Sequence, residues 1–205
     1  INPHFLYNTL DLIYWAAMDY QAKEIMEISR SLAKFYRVSL NRGKQTVTIR
    51  EEIGQVNAYI KIENYHFENA IHFEMDVEDE MMELGCINLI LQPFVENAIM
   101  YSLAKVPDRE SCHIVLRASL EDGEVRFQIE DDGIGMSKEE AERILDGTEN
   151  GPGKGYGVKN VNFRIKLCYG EAYGVSYESE RGRGTRAVIR IPAMSPEELE
   201  ESILL

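Results

Sequence analysis

Basic residues are scarce in this chain: 22 Lys and Arg stand against 35 Asp and Glu, a net charge of −13 over 205 residues. The few cations are scattered rather than gathered into a stripe, which argues against a nucleic acid or an anionic membrane surface as partner. Cysteine is scarcer still. Cys86, Cys112 and Cys168 show neither paired nor ligand-like spacing, which argues against a disulfide framework or a zinc site; buried or free thiols in a reducing compartment are expected. No apolar run is long enough to cross a bilayer, no signal peptide is visible, and there is no internal repeat or low-complexity tract. The chain opens on Ile1-Asn2-Pro3 without a Met, so a piece of a longer protein is expected. What is present is a 44% hydrophobic content, ordinary for a soluble chain with a real core, and length for an average domain with a smaller appendage.

Residues 3–19 and 22–40 read as two helices joined near Asp19-Tyr20-Gln21. Phe5, Leu6, Leu10, Ile13 and Ala17 line the first, with Asn2 as N-cap and Pro3 at its first position. Ile25, Ile28, Leu32, Phe35 and Ser39 form a narrow seam along the second. Two helices cannot bury such stripes alone, so dimerisation into a four-helix bundle is the expectation, with packing on the next domain as the alternative. Asn41-Arg42-Gly43-Lys44 ends this region.

A helix is expected over about 50–68, then a half-buried strand in which Ile71, Phe73, Met75 and Val77 alternate with polar residues. Another helix is expected over about 85–103, followed by two strands joined at Glu121-Asp122-Gly123 as a hairpin. Ser137 and Glu140 make a capping box for a short helix over about 138–146. Residues 147–157 hold so much glycine that a mobile loop is expected, then a helix to Cys168, two alternating strands, and a marginal terminal helix from Ser195. Five strands in hairpin-rich order imply one mixed sheet with helices on one face, an α+β fold.

Chemistry concentrates at a few positions. Asn97 and Tyr101 sit one turn apart on the 85–103 helix; the carboxamide offers Mg²⁺ a neutral oxygen, and the ring is placed to lie against adenine. Asp131 closes an alternating strand at "DDGIGM", where a carboxylate can accept a hydrogen bond from the exocyclic amine of adenine. Gly153, Gly155 and Gly157 precede a helix, whose unpaired N–H groups make a phosphate seat. Taken singly, these are also a surface Asn, a turn acid and a flexible linker. His4, with Asn8 one turn on to orient its ring, can act as a nucleophile toward a phosphoryl group, although a His near a terminus is more often merely exposed.

The ordered set is more telling than its parts. "INPHFLYNTLD" resembles the phosphoacceptor box of LytS/YesM-type sensor histidine kinases, "LQPFVENAIMYS" their N box, "DDGIGM" their G1 box and "GKGYGVKNVNFRIKLCYG" their G2 box, while "SERGRGTRAVIRIP" resembles the closing strand. The resemblance covers nearly the whole chain. It implies that His4 accepts the γ-phosphoryl group of ATP, Asn97 holds Mg²⁺ and Asp131 binds the adenine amine. It further implies that Gly133, Gly135, Gly155 and Gly157 shape the cleft, with Thr185 near the base beside Asp131. Three positions depart from the pattern. Met100 stands where many members have Lys, Phe5 follows His4 where typical kinases place an acid, and Pro93 lies four residues before Asn97, where related ATPases carry a water-activating Glu. The last departure favours transfer to His over hydrolysis.

The expected architecture is a dimerising phosphoacceptor hairpin over 1–45, a GHKL-type ATP-binding domain over 46–193 and a helical tail over 194–205. By the same resemblance the partners are a second copy and a response regulator, and the setting is the cytoplasmic face of a bacterial membrane, to which the full-length protein is anchored. The rival readings are a GHKL ATPase or protein serine kinase, and a nucleotide-binding scaffold without turnover.

Overall fold

The computed structural model describes residues 3–40, 45–146 and 156–203. The Asn2 cap, the Asn41–Lys44 break and most of the glycine-rich 147–157 stretch lie outside them. Helices α1 (Pro3–Asp19) and α2 (Lys23–Leu40) form the expected hairpin, turning at Gln21 with φ +55°. Leu10 and Ala17 of α1 and Ser29 of α2 are buried, and the Ser29 hydroxyl donates to the Leu10 carbonyl at 2.7 Å.

Helix α2 lies along α3 (Ile49–His66), so part of the alternative reading holds. Phe35 packs on Tyr59 with ring centroids 6.0 Å apart, Gln55 Nε2 donates to Ser39 Oγ at 2.6 Å, and the Tyr65 hydroxyl donates to Glu27 at 2.6 Å. The α2 seam is therefore divided. Phe35 and Ser39 face α3, whereas Ile25 stays 50% exposed. On α1, Phe5 and Leu12 are each 70% exposed and Trp15 57%, a density of outward apolar side chains beyond what single surface residues show.

Thr48 starts α3 with a capping box: its hydroxyl takes the Glu51 N–H while the Glu51 carboxylate takes the Thr48 N–H. Strand β1 (Thr46–Thr48) pairs antiparallel with β3 (Gly85–Ile87), and β2 (Ile71–Val77) lies between α3 and β3 in sequence. The expected 85–103 helix is corrected here. Residues 85–87 are a fully buried strand, Leu89 takes φ +59°, and α4 runs over Gln92–Ile99, continuing through a π-helical turn at Met100–Ala104. A three-residue buried strand next to a helix shows no periodicity that separates the two, which is why the stripe read as one helix.

Strands β4 (Cys112–Glu121), β5 (Glu124–Asp131), β6 (Gly174–Ser179) and β7 (Thr185–Pro192) complete a mixed sheet in the order β2-β4-β5-β7-β6, with β2 and β4 parallel and every other pair antiparallel. The β4–β5 turn has positive φ at Asp122 and Gly123, the mirror-image turn that suits strand twist. Leu116, Ala118, Phe127, Ile129, Ala187 and Ile189 point into one core with residues of α3, α4 and α6 (Tyr156–Tyr169). The other face carries an ion ladder from Arg117 through Glu130 and Arg186 to Glu178. The expected α+β architecture, with helices on one face of a mixed five-stranded sheet, is the one observed.

Helix α5 (Lys138–Asp146) begins at the Ser137–Glu140 box as read. Helix α7 (Pro196–Ile203) is firmer than expected. Leu199 is fully buried and the Gly85 N–H donates to the Met194 carbonyl at 2.8 Å, so the tail is docked beside β1 and β3.

Candidate functional site

A concave pocket opens between α4, the end of β5, the β5–α5 segment and the β6–β7 hairpin. Asn97, Tyr101, Asp131, Gly135 and Thr185 all line it, so residues spread over nearly ninety positions of sequence meet in one place. Alternation along β5 delivers Asp131 to the strand end, where it pairs in register with Thr185 of β7. Its Oδ1 accepts the Gly133 N–H at 2.9 Å and the Ser102 hydroxyl at 3.3 Å. Ser102 is fully buried and sits in the π-helical turn, which brings it under the carboxylate one residue after Tyr101.

Glycine is required at two of these positions. A Cβ on residue 133 would sit 2.7 Å from Asp131 Oδ1, Ser102 Oγ and the Tyr101 carbonyl. At residue 135, φ is +62° and a Cβ would lie 2.0 Å from the Glu180 carbonyl oxygen. Gly157 is exposed at the start of α6, where a Cβ would come within 3.2 Å of Pro93. Gly155 falls outside the described residues.

The rest of the pocket is apolar with a charged rim. Phe94, Ile129, Ile134, Ile144, Tyr177 and Ala187 make the walls, and the Arg181–Glu140 ion pair joins the β6–β7 hairpin to α5 at the rim. None of Phe94, Ser102, Tyr177 and Arg181 was anticipated. Ser102 and Tyr177 carry no local signal of proximity to Asp131, since register and the π-turn alone place them there. Lys105 Nζ lies 4.8 Å from the centroid of the Tyr101 ring, a cation–π contact on the wall residue.

His4 and Asn8 stand apart from this pocket. Both are exposed on α1, with Asn8 Nδ2 3.3 Å from His4 Nδ1, so the predicted pairing of ring and amide is present, and neither residue is among those lining the pocket.

Burial pushes the Asp131 carboxyl up to about 6, against the pull of hydrogen bonds from Gly133, Ser102 and the Thr185 backbone. A carboxyl raised from 3.8 holds its proton more tightly folded than unfolded. Its stabilising contribution is therefore complete below pH 3.8 and is lost as pH rises through about 6, on the order of 3 kcal/mol in all. Asp131→Asn keeps the acceptor oxygen and removes the charge. Without ligand, it should be more stable than the unaltered chain at about pH 8, with the gap closing below about pH 4. Urea melts across that range are the check, and a gap independent of pH would contradict it.

Residues 86–195 match the model of the histidine kinase-, DNA gyrase B-, and HSP90-like ATPase family, and residues 1–71 match the histidine kinase model. The first match covers more than half of the chain, which therefore belongs to the histidine kinase-, DNA gyrase B-, and HSP90-like ATPase family. Within it, the similarity is to sensor kinases. Sensor histidine kinase YesM of Bacillus subtilis is 42% identical over 192 residues, covering 94% of this chain and 32% of that protein. Sensor histidine kinase BtsS of Escherichia coli is 28% identical over 193 residues (94% and 32%), and sensor protein LytS of Bacillus anthracis 27% over 200 (97% and 33%). The chain thus spans about a third of the length of these curated relatives. The resemblance read from the four boxes is borne out.

Among solved structures, the histidine kinase domain of a blue-light activated histidine kinase from Erythrobacter litoralis aligns with TM-score 0.56 at 16% identity, covering 98% of this chain and 97% of that one. A nucleotide-free catalytic domain of histidine kinase ThkA aligns with TM-score 0.58 at 19% identity, covering 75% and 97%. At these identities the likeness concerns the fold.

Proposed function

We propose that this chain is the kinase core of a sensor histidine kinase, which transfers the γ-phosphoryl group of ATP to His4 and then to an Asp of a response regulator. The observation that carries this reading is the pocket that gathers Asn97, Tyr101, Asp131, Gly135 and Thr185, in a chain whose first helix presents an exposed His4–Asn8 pair. The Asp131 carboxylate accepts a hydrogen bond from the adenine amine, Tyr101 and the apolar walls hold the ring, and Gly133 and Gly135 let backbone come close. Gly157, with Gly155, shapes the phosphate end at the start of α6.

A Mg²⁺ ion fits the same arrangement. The Asn97 carboxamide lines the pocket, and no group of three or more His, Cys, Asp or Glu gathers as a metal cage among the described residues. The ion would be held by Asn97 together with phosphate oxygens and water, where it neutralises charge on the phosphates. In the transfer itself, a neutral ring nitrogen of His4 attacks the γ-phosphorus, the bond to the β,γ-bridging oxygen breaks and ADP leaves. The Asn8 amide nitrogen lies against Nδ1 of the ring, and this contact would fix the orientation of the imidazole.

The hairpin over 1–45 would be the phosphoacceptor and dimerisation unit, 46–193 the ATP-binding domain, and 194–205 the tail. Self-association would use the outward apolar side of α1 together with Ile25, which borders an apolar groove with Ile13, Ala16, Ala17, Tyr20 and Ala22. The described residues contain no helix long and apolar enough to cross a membrane. Anchoring at the cytoplasmic face of a bacterial membrane would then reside in other parts of a longer protein.

The test is incubation with labelled ATP and Mg²⁺, followed by analysis for an acid-labile, base-stable phosphoprotein. ATP should bind in preference to GTP, and Asp131→Ala should weaken ATP by roughly ten- to a hundredfold, the loss expected for one charge-assisted hydrogen bond. ATP affinity should also fall as pH drops below about 6, because the protonated carboxyl loses its role as pure acceptor. No label on the chain, or unaltered affinity in Asp131→Ala by calorimetry, would sink this reading.

A further inference from the structure

Helix α3 grips the head of α4 with two fully buried polar side chains spaced three residues apart, Glu52 and Gln55. Glu52 takes backbone N–H groups of the turn before α4. Gln55 does something different, because it reaches both neighbours. Its Nε2 donates to Ser39 Oγ of α2 at 2.6 Å and lies 3.4 Å from Oε1 of Gln92, the first residue of α4. The direction of both bonds is set by the partners. Ser39 gives its own hydroxyl proton to the Phe35 carbonyl at 2.8 Å, and Gln92 Nε2 is engaged by the carboxylate of Glu96. Each therefore shows Gln55 an acceptor, and Glu96 is the immediate neighbour of Asn97.

The other end of the amide is unmatched. Gln55 Oε1 is buried with no hydrogen-bonding partner among the described residues. A buried carbonyl in that state costs stability, so an apolar side chain of the same length would fill the site at lower cost. Space-filling does not account for a glutamine here, whereas a link between α2 and α4 does.

We propose that Gln55 is a positioning residue for phosphoryl transfer, fixing the hairpin that carries His4 against the helix that carries Asn97. The inference rests on the kinase reading above. Donor and acceptor sit on separate units, and transfer requires the γ-phosphorus and the imidazole to meet within about 3–3.5 Å. One amide bonded to both α2 and the first residue of α4 ties the two units directly, on top of the α2–α3 contacts, without lining the nucleotide pocket itself.

Gln55→Met keeps the length and removes both bonds and the orphaned oxygen. Expected results are a melting temperature unchanged or raised, ATP affinity within about twofold by calorimetry, and a kcat for phosphorylation at saturating ATP lowered about tenfold or more. Ser39→Ala should lower kcat in the same direction, and the double variant should be no worse than Gln55→Met alone. A Gln55→Met kcat within about twofold of the unaltered chain overturns the inference while leaving the kinase reading intact. A fall in ATP affinity matching the fall in kcat also overturns it, since the residue would then act through the nucleotide pocket. Absence of label on the unaltered chain overturns the kinase reading and this inference together.

Discussion

Replacing His4 with Gln should abolish labelling by ATP while leaving nucleotide affinity within a few fold. The two properties separate because His4 lies exposed on α1, outside the set of residues that line the pocket. Gln keeps size and polarity but offers no nucleophilic nitrogen, so loss of label with intact binding assigns the acceptor and nothing else. Asn97→Asp should behave differently. A new charge beside the phosphates alters binding and transfer together, in contrast to the silent binding phenotype of His4→Gln. Mixing the two variants should return label to the Asn97→Asp chain if transfer runs between protomers. Label that persists on His4→Gln identifies another acceptor, and the kinase assignment of His4 then fails.

Much of this fold is legible in the amino-acid sequence. Period-2 alternation placed all five long strands, because each turns one face to a core built around Leu116, Phe127, Ile129 and Ile189, although Val188 on the outer face of β7 is buried as well. The hairpin at Asp122-Gly123 and the box at Ser137 and Glu140 rest on interactions within a few residues, which sequence spacing encodes directly. Asn97, Asp131 and Thr185 were legible as a group through the order of their boxes, not through any local signal that they meet. The failures share a different cause. Strand β3 is three residues long and buried on all sides, so neither period could reveal it. Glu52 has no local signal that sets it apart in a chain rich in acids, since its partners are backbone groups 37 to 39 residues away. The tail helix was underrated because its anchor, Leu199, is one apolar residue whose burial depends on β1 and β3.

Glu52→Ala should be among the most destabilising substitutions in the chain, although it touches no part of the pocket lining. The carboxylate is fully buried and accepts three backbone N–H groups, from Leu89 at 2.9 Å, Ile90 at 2.7 Å and Leu91 at 2.9 Å. Burial pushes its carboxyl above the ordinary value, opposed by those three donors and by Arg164, which itself holds the Asn88 carbonyl at 2.7 Å. This arrangement stabilises the turn in which Leu89 takes φ +59°, a conformation that is unfavourable for a side chain of that size and persists where surroundings impose it. Removing the carboxylate strands three donors in a dry interior and leaves Arg164 without its nearby counter-charge. A cost of about 3–5 kcal/mol follows, a large share of the roughly 5–15 kcal/mol that holds a typical domain together. Glu52→Gln should cost less, because the amide oxygen can still serve Ile90 and Leu91 while its NH₂ group opposes the Leu89 N–H. Urea melts should rank the unaltered chain above Gln and Gln above Ala. The same ranking should appear in ATP affinity, since the turn sets where α4 begins and hence where Asn97 and Tyr101 point. An alanine variant that melts within about 1 kcal/mol of the unaltered chain would show that the turn before α4 holds itself.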